Sequence, residues 1–464
     1  MSNSRFRFTW LAVATTVLCA SGLAQWSPLQ NISRDTTGNV KAQSLAIDSF
    51  HTLHACWTHQ MDGYEDDWIE YSCKPANVDT WTIPVRINPH LMYFLGSVVA
   101  IGPSQVPYVI WRSQTDSDFT YVSQRSGDTW ITVHQPGWCG FAQALRAATD
   151  RLGRLHLTWG DYGRAIWYAR LEASGWTRPE TAACFQTHGV GYSDIAADRQ
   201  GYAHIVYETF HDTAGYVHQT PTGWSAPEGL SSGTDGGGRN PRVCVDTLDE
   251  PQVAWFDYMI TTFSGKQGGV WSPPVRLDSP LVKGGFQPSL CVDRRNQVHV
   301  FFGDDDENGH SFGMRERVKC GWRWTEDREI DTIAGWAEVV ADGTRLHLLH
   351  RRQVFDNAHV WYSYRDMDPP AVEEINVAHA SAGPRVSDLA TPLTEIPYIL
   401  NQPGKIQITI LDCAGRRTWT SDTQVKGPGC YTFLPYSHLP GSGVFYCRIT
   451  AGSSGRIVKL VRID

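Results

Sequence analysis

The sequence predicts an all-β fold on three observations: many short apolar runs separated by turn residues, one motif repeated at nearly constant spacing, and no long stretch of amphipathic helical period. Of 464 residues, 42 are Gly and 25 are Pro, and aromatic residues reach 12% against 19% charged. That balance suits short strands joined by tight turns.

The repeat organises the chain. "DSFHTLHACW" from Asp48 recurs as "GPSQVPYVIW" from Gly102, "DRLGRLHLTW" from Asp150, "DRQGYAHIVY" from Asp198, "DTLDEPQVAW" from Asp246, "DRRNQVHVFF" from Asp293 and the shorter "DGTRLHLLH" from Asp342. These are copies one to seven, and their first residues lie 54, 48, 48, 48, 47 and 49 apart. A period of this size is that of a four-stranded propeller blade. In each copy a first strand runs up to the motif's leading residue, and a tight turn leads into the second. The third strand usually contains Tyr ("IEYSC", "IWYAR"), and the fourth starts at Trp and usually contains Pro ("GWTRPETA", "VWSPPVRL"). Copy seven stops at "VWYSYRDMDPP" without a fourth strand, whereas "QWSPLQNIS" at Trp26 carries that strand's signature. The prediction is therefore a seven-bladed β-propeller closed by an N-terminal strand, which leaves no open end in the ring.

Four segments follow from composition. Residues 1–24 read as a signal peptide: Arg5 and Arg7 precede an apolar run from Phe8 to Leu18, with small residues at Gly22 and Ala24. Residues 25–368 hold the propeller, 369–384 ("PPAVEEINVAHASAGP") form a linker, and 385–464 form a small β-sandwich. No transmembrane span is expected in the mature chain, because no later segment reaches about 20 apolar residues. Residues 25–384 carry 29 Lys or Arg against 43 Asp or Glu, a balance of −14 that argues against nucleic acid as a partner. An oxidising compartment would permit bridges such as Cys56 with Cys73, or Cys430 with Cys447.

Subtracting the repeat isolates candidate site residues. His54, His156, His204, His299 and His347 recur at one repeat position. Catalysis needs a group once, so these histidines read as structural hydrogen-bonding groups. Among the tryptophans, Trp138 and Trp336 stand outside the repeated positions, in segments that should connect one blade to the next. Tyr192 joins them, and Arg146, Asp194, Arg242 and Glu338, near the starts of first strands, should point toward the central mouth. Rings that stack on sugar faces, together with polar groups for hydroxyls, would form a glycan site. The competing reading is that the rings wedge adjacent blades.

Asp304, Asp306 and Asn308, followed by Gly309, match the D-x-D-x-N-G start of a Ca2+ loop, but Arg315 stands at the twelfth position. A solvated acidic loop is the other reading of "DDDENGH". The catalytic residues are unassigned, since there is no HExxH, Walker loop, GxSxG or strand-linked GxGxxG. Asp194 and Glu338 could serve glycoside hydrolysis only at the separation that chemistry demands.

The tail segments "IPYILNQPGKIQITILDCAGRR", "GCYTFLPYSHLPGSGVFYCRITAG" and "KLVRID" resemble the C-terminal type A sorting domain of type IX secretion cargo, and the related flagellar hook-capping immunoglobulin-like (Ig-like) domain. The resemblance covers about 75 residues; "ATPLTEIPY" stands where the family has Asn-Pro. It implies an Ig-like fold, export machinery as a partner through 385–464, and secretion or display on the outer membrane of a Gram-negative-type bacterium. The repeats are similar to those of secreted BNR or sialidase-like proteins, although D-x-x-G-x-x-H-x-x-W departs from the S-x-D-x-G-x-x-W Asp box, and no arginine triad is carried over. The sequence thus reads as a binding module for glycan or surface polymer. An extracellular glycosidase or polysaccharide lyase is the alternative, and an envelope-associated scaffold is a third reading.

Overall fold

The computed structural model describes residues 26–367 and 396–462, leaving out some connecting segments, of which those longer than three residues are 35–38, 61–66, 89–93, 114–119, 136–144, 232–236, 279–287 and 306–310. No α-helix occurs among the described residues, so none is long and apolar enough to cross a membrane. The signal-peptide and linker segments lie outside the description.

Each sequence copy forms one antiparallel set of strands. Copies two to six have separate sheets, and copies one and seven join in an eight-stranded sheet through a single parallel bridge, Asn39 to Ala358. The first strands contact one another in cyclic order: Asn39–Ile47, Phe94–Ile101, Arg146–Thr149, Val190–Ala197, Gly237–Val245, Ser289–Val292, Ala334–Ala341, then back to Asn39–Ile47. The N-terminal strand Gln30–Asn31 pairs with Asn357–Asp366 of copy seven, Gln30 against Tyr362 and Asn31 against Trp361.

Two devices repeat between neighbouring copies. A fourth-strand Trp meets an aromatic ring of the preceding copy edge to face, as in Trp130 on Tyr71 (4.8 Å), Trp224 on Tyr168 (5.1 Å), Trp271 on Tyr216 (5.1 Å) and Trp324 on Phe263 (4.8 Å). Trp81 of copy one packs on Tyr362 of copy seven in the same way. Backbone is bridged as well: the N–H of Val99 donates to Ser44 Oγ (3.1 Å), that of Val243 to Asp194 Oδ2 (2.9 Å), and that of Val339 to Ser289 Oγ (3.2 Å). In each pair the acceptor lies four residues before its copy's leading Asp, and the donor three before the next copy's leading residue.

Within copies the repeated histidines build walls. Asp150 accepts the N–H groups of Leu152 (2.8 Å) and Arg154 (2.9 Å), His156 Nε2 lies 3.1 Å from Asp150 Oδ2, and His156 Nδ1 shares a 2.8 Å hydrogen bond with Tyr168. The same Asp, His and Tyr meet at Asp48, His54 and Tyr71, and at Asp342, His347 and Tyr362. In copy six Glu316 replaces Tyr, 2.9 Å from His299 Nδ1 and paired with Arg365 of copy seven. Burial pushes the Glu316 carboxyl up, but His299 and Arg365 outweigh it and hold it at about 2; burial lowers His299, but Asp293 and Glu316 outweigh that and raise it.

A carboxyl held below its unfolded value contributes stability that is present above about pH 4.5 and is lost as pH falls toward 2. The raised imidazole contributes below about pH 6.5, and that contribution is lost as pH climbs through its folded value. Glu316→Gln should therefore lower the melting temperature at pH 5–6, with the gap to the parent closing as pH falls below 4.5. A gap independent of pH would refute the assignment.

The fourth strand differs from the sequence expectation. In copies three to six it is split, as in Gly175–Trp176 followed by Glu180–Cys184. Pro179 and Pro227 lie within these breaks, where a residue without an N–H cannot continue a ladder. The cysteine expectation also changes. His54 pairs with Cys73, and Cys56 with Tyr71, so the two thiols stand out of register. Cys56 points to Ser97 Oγ (3.7 Å), Cys73 lies 3.7 Å from Arg125 Nη1, and both remain thiols. Burial pushes the Cys56 thiol up to about 12. The side chain of Cys430 lies outside the described residues.

In the tail, Ile396–Leu400 pairs with Gly429–Phe433, and Gly404–Asp412 lies at the centre of a five-stranded sheet with Arg417–Thr420, Gln424–Lys426, Gly443–Ala451 and Ser454–Arg462. Ile396 packs into one core with Ile406, Ile408, Ile410, Phe445, Ile449 and Leu460, so the two sheets share a core.

Candidate functional site

The position four residues before each copy's leading residue holds Ser44, Val98, Arg146, Asp194, Arg242, Ser289 and Glu338. It lies on the first strands, which line the ring. Side chains from four of these positions meet. Arg146 Nη1 donates to Glu338 Oε1 (3.1 Å), and so does Arg242 Nη1 (3.0 Å); Arg242 Nη2 pairs with Glu338 Oε2. Arg242 Nε lies 3.3 Å from Asp194 Oδ2.

Copies three and seven are not neighbours in the ring, so the Arg146–Glu338 contact spans the central channel. Arg242 grips Glu338 with both terminal nitrogens, a bidentate geometry that fixes direction as well as distance. The side chains keep 11–17% exposure, so the four groups are largely shielded from solvent.

Electrostatics separates the two carboxylates. Burial pushes Glu338 up, but Arg242 and Arg146 outweigh it and hold it below the usual carboxylate range. Asp194 is raised by burial despite the same two guanidiniums. Burial and the neighbouring Arg242 depress Arg146; burial acts the same way on Arg242, but Glu338 and Asp194 outweigh it and raise its pKa. With both carboxylates ionised, two positive and two negative groups leave no net charge. The cluster therefore presents fixed donors and acceptors rather than an uncompensated charge.

Of the aromatic candidates, Tyr192 is half-buried at a register shift in Val190–Ala197, where burial and Glu208 push its hydroxyl up against the opposing pull of Arg146. Trp336 lies inside Ala334–Ala341, at a shift between Gly335 and Ala337, rather than in a connection as its sequence position suggests. The bulge gives it an extra place in the strand without moving the flanking residues off their faces. Its carbonyl accepts Gln43 Nε2 (2.6 Å), and the Arg351 guanidinium sits 5.4 Å over its ring. Gln43, Glu208 and Arg351 did not stand out in the sequence; Gln43, one residue before the lining position in copy one, carried the clearest signal.

Trp138 lies outside the described residues. Asp304 ends up in Val298–Asp305, but its side chain, Asp306 and Asn308 also lie outside the description. Among the described residues no group of three His, Cys, Asp or Glu side chains could hold a metal ion.

No family model matches the chain, and no curated protein matches it. Similar solved structures include an alpha-L-arabinanase from Penicillium chrysogenum complexed with arabinobiose, at 13% identity and TM-score 0.46 over 74% of this chain and 98% of that one. A polysaccharide lyase is similar at 10% identity and TM-score 0.47, over 76% of this chain and 94% of its own. The Aleuria aurantia lectin in complex with alpha-methyl-L-fucoside is similar at 12% identity and TM-score 0.41, over 65% and 97%.

Proposed function

We propose that residues 25–368 form a seven-bladed propeller that binds a neutral glycan or surface polymer at its central mouth. The observation that carries this reading is the charge-compensated cluster of Arg146, Asp194, Arg242 and Glu338. An anionic ligand would have to compete with two carboxylates already seated on the guanidiniums. Sugar hydroxyls, which donate and accept at once, can instead join the network without displacing a charge. Tyr192 and Trp336 are assigned to the same mouth, and Trp138 to its rim. The tail, 385–464, is proposed as an Ig-like sorting or attachment domain of a secreted or outer-membrane-displayed protein.

The test is a glycan and polysaccharide array probed with residues 25–368. Arg146→Met should weaken binding of neutral glycans at least tenfold, since this group holds Glu338 by a single contact and is the freer of the two to turn to a ligand. Binding confined to acidic sugars, or unaffected by the substitution, would refute the mouth assignment.

A second reading is favoured by one observation: Asp194 and Glu338 are pushed in opposite directions, as a proton donor and an ionised base require. In that case Asp194 would protonate a glycosidic oxygen and Glu338 would act as base or nucleophile. Release of reducing ends from an array hit, abolished by Asp194→Asn, would select hydrolysis over binding.

A further inference from the structure

Copy two departs from the Asp, His and Tyr pattern at all three positions. Gly102 replaces the leading Asp, Tyr108 the His, and Val122 the third-strand Tyr. The changes are coupled, because a Cβ on Gly102 would stand 2.4 Å from the Tyr108 ring. At the position where the rings of copies one, three, four, five and seven meet the next copy's Trp, copy two has Val122, facing copy three. There a groove of about 450 Å³ opens between copies two and three, lined by Tyr108, Val122, Ile131, Val133, Leu171 and Trp176 among others.

The fourth strand of copy two is also different. Thr129–Gln135 is continuous and pairs along its whole length with Thr120–Ser126, whereas the outer strands of copies three to six are split. Its sequence, "TWITVHQ", has no Pro, Asp, Glu, Lys or Arg. Proline, charge and interruption are the means by which proteins block strand addition at an edge, and this edge has none of them. On the groove side Ile131 and Val133 are 55% and 48% exposed, while Trp130 packs inward on Tyr71.

We infer that Thr129–Gln135 is a self-association edge that pairs antiparallel with the same strand of a second copy of this chain. The occupant follows from the strand's own pattern. Antiparallel pairing centred on Thr132 sets Ile131 of each copy opposite Val133 of the other, giving two β-branched cross-strand pairs on the groove side. The uncharged strand meets itself with no like-charge penalty, and the two-fold arrangement closes without leading to a fibre. A seven-residue strand buries less than a standard interface. The dimer should therefore be reversible and depend on concentration.

The test is the mass of the full chain by sedimentation between about 1 and 100 μM, the range a strand-only interface implies. The parent should approach twice its monomer mass, while Ile131→Lys and Val133→Glu should each remain monomeric. Mixing those two variants should restore the dimer, because the pairing sets the introduced ammonium opposite the introduced carboxylate and leaves the second Ile–Val pair intact. That rescue also separates a lost interface from a misfolded chain. A parent that stays monomeric, a dimer retained by either single variant, or a mixture that fails to associate would each overturn the inference.

Discussion

Replacing Arg242 with Met should cost about 3–5 kcal/mol of stability at neutral pH, the range for removing one partner from a buried ion pair. Arg242 is the shared partner of both carboxylates, bidentate to Glu338 and 3.3 Å from Asp194. Without it, Glu338 keeps only the Arg146 contact, and Asp194 keeps the N–H of Val243. Two carboxylates would then face one guanidinium across a narrow channel. Urea unfolding should show the loss, and Arg242→Met with Glu338→Met should recover part of it, because the second change removes the stranded charge.

The pH dependence supplies the sign. In the parent Glu338 is held low, so its contribution is present above about pH 4.5 and is lost as pH falls. In the variant that carboxyl no longer has its main partner and rises, so the deficit should be largest at neutral pH and shrink below about pH 4.5. A deficit that is constant with pH, or below about 1 kcal/mol, would mean that the cluster is solvated and its ion pairs are not held in place.

Starting the chain at Arg34 instead of Gln25 should destabilise it by about 5 kcal/mol. Besides the ladder pairing of Gln30 and Asn31, the closing segment contributes four hydrogen bonds to copy seven: Ser27 N to Tyr364 O (2.7 Å), Tyr364 N to Ser27 Oγ (2.9 Å), Ile32 N to Val360 O (2.9 Å) and Val360 N to Ser33 Oγ (3.3 Å). At about 1 kcal/mol each these account for most of the loss. Ile32 is buried, and Trp26 meets Phe301 edge to face at 5.9 Å with Arg365 over its ring, so burial adds about 1.5–3 kcal/mol per side chain; strand-ordering entropy offsets part of the total. The truncated chain would also expose the edge of Asn357–Asp366. It should therefore scatter light at concentrations where the parent is clear. An unchanged unfolding midpoint would show that ring closure does not depend on this strand.

The sequence determined the strand sets and their order because most copies repeat the same local physics. A leading Asp holds its turn, the His two places from a strand partner meets Tyr, and Trp marks the outer strand. These are short-range requirements, so they recur at fixed spacing and can be counted. The closing strand was legible for the same reason: "QWSPLQNIS" is a fourth strand with no copy of its own. That Arg146, Asp194, Arg242 and Glu338 share one repeat position was legible as well.

What only the tertiary structure decided was which of those residues touch. A period places residues on the lining but does not say that Arg242 reaches past copy six to grip Glu338, because side-chain length and channel width set that contact. Nor could spacing show that Trp336 sits in a bulge under Arg351, or that Cys56 and Cys73 are out of register, since a one-residue shift in pairing leaves the sequence pattern unchanged. The groove beside Trp176 exists because Val122 is smaller than the ring it replaces, and that space becomes visible only when copy three is packed against copy two. Local chemistry wrote the repeat; the packing of copy three on copy two opened the groove, and side-chain reach across the ring joined the four charged groups.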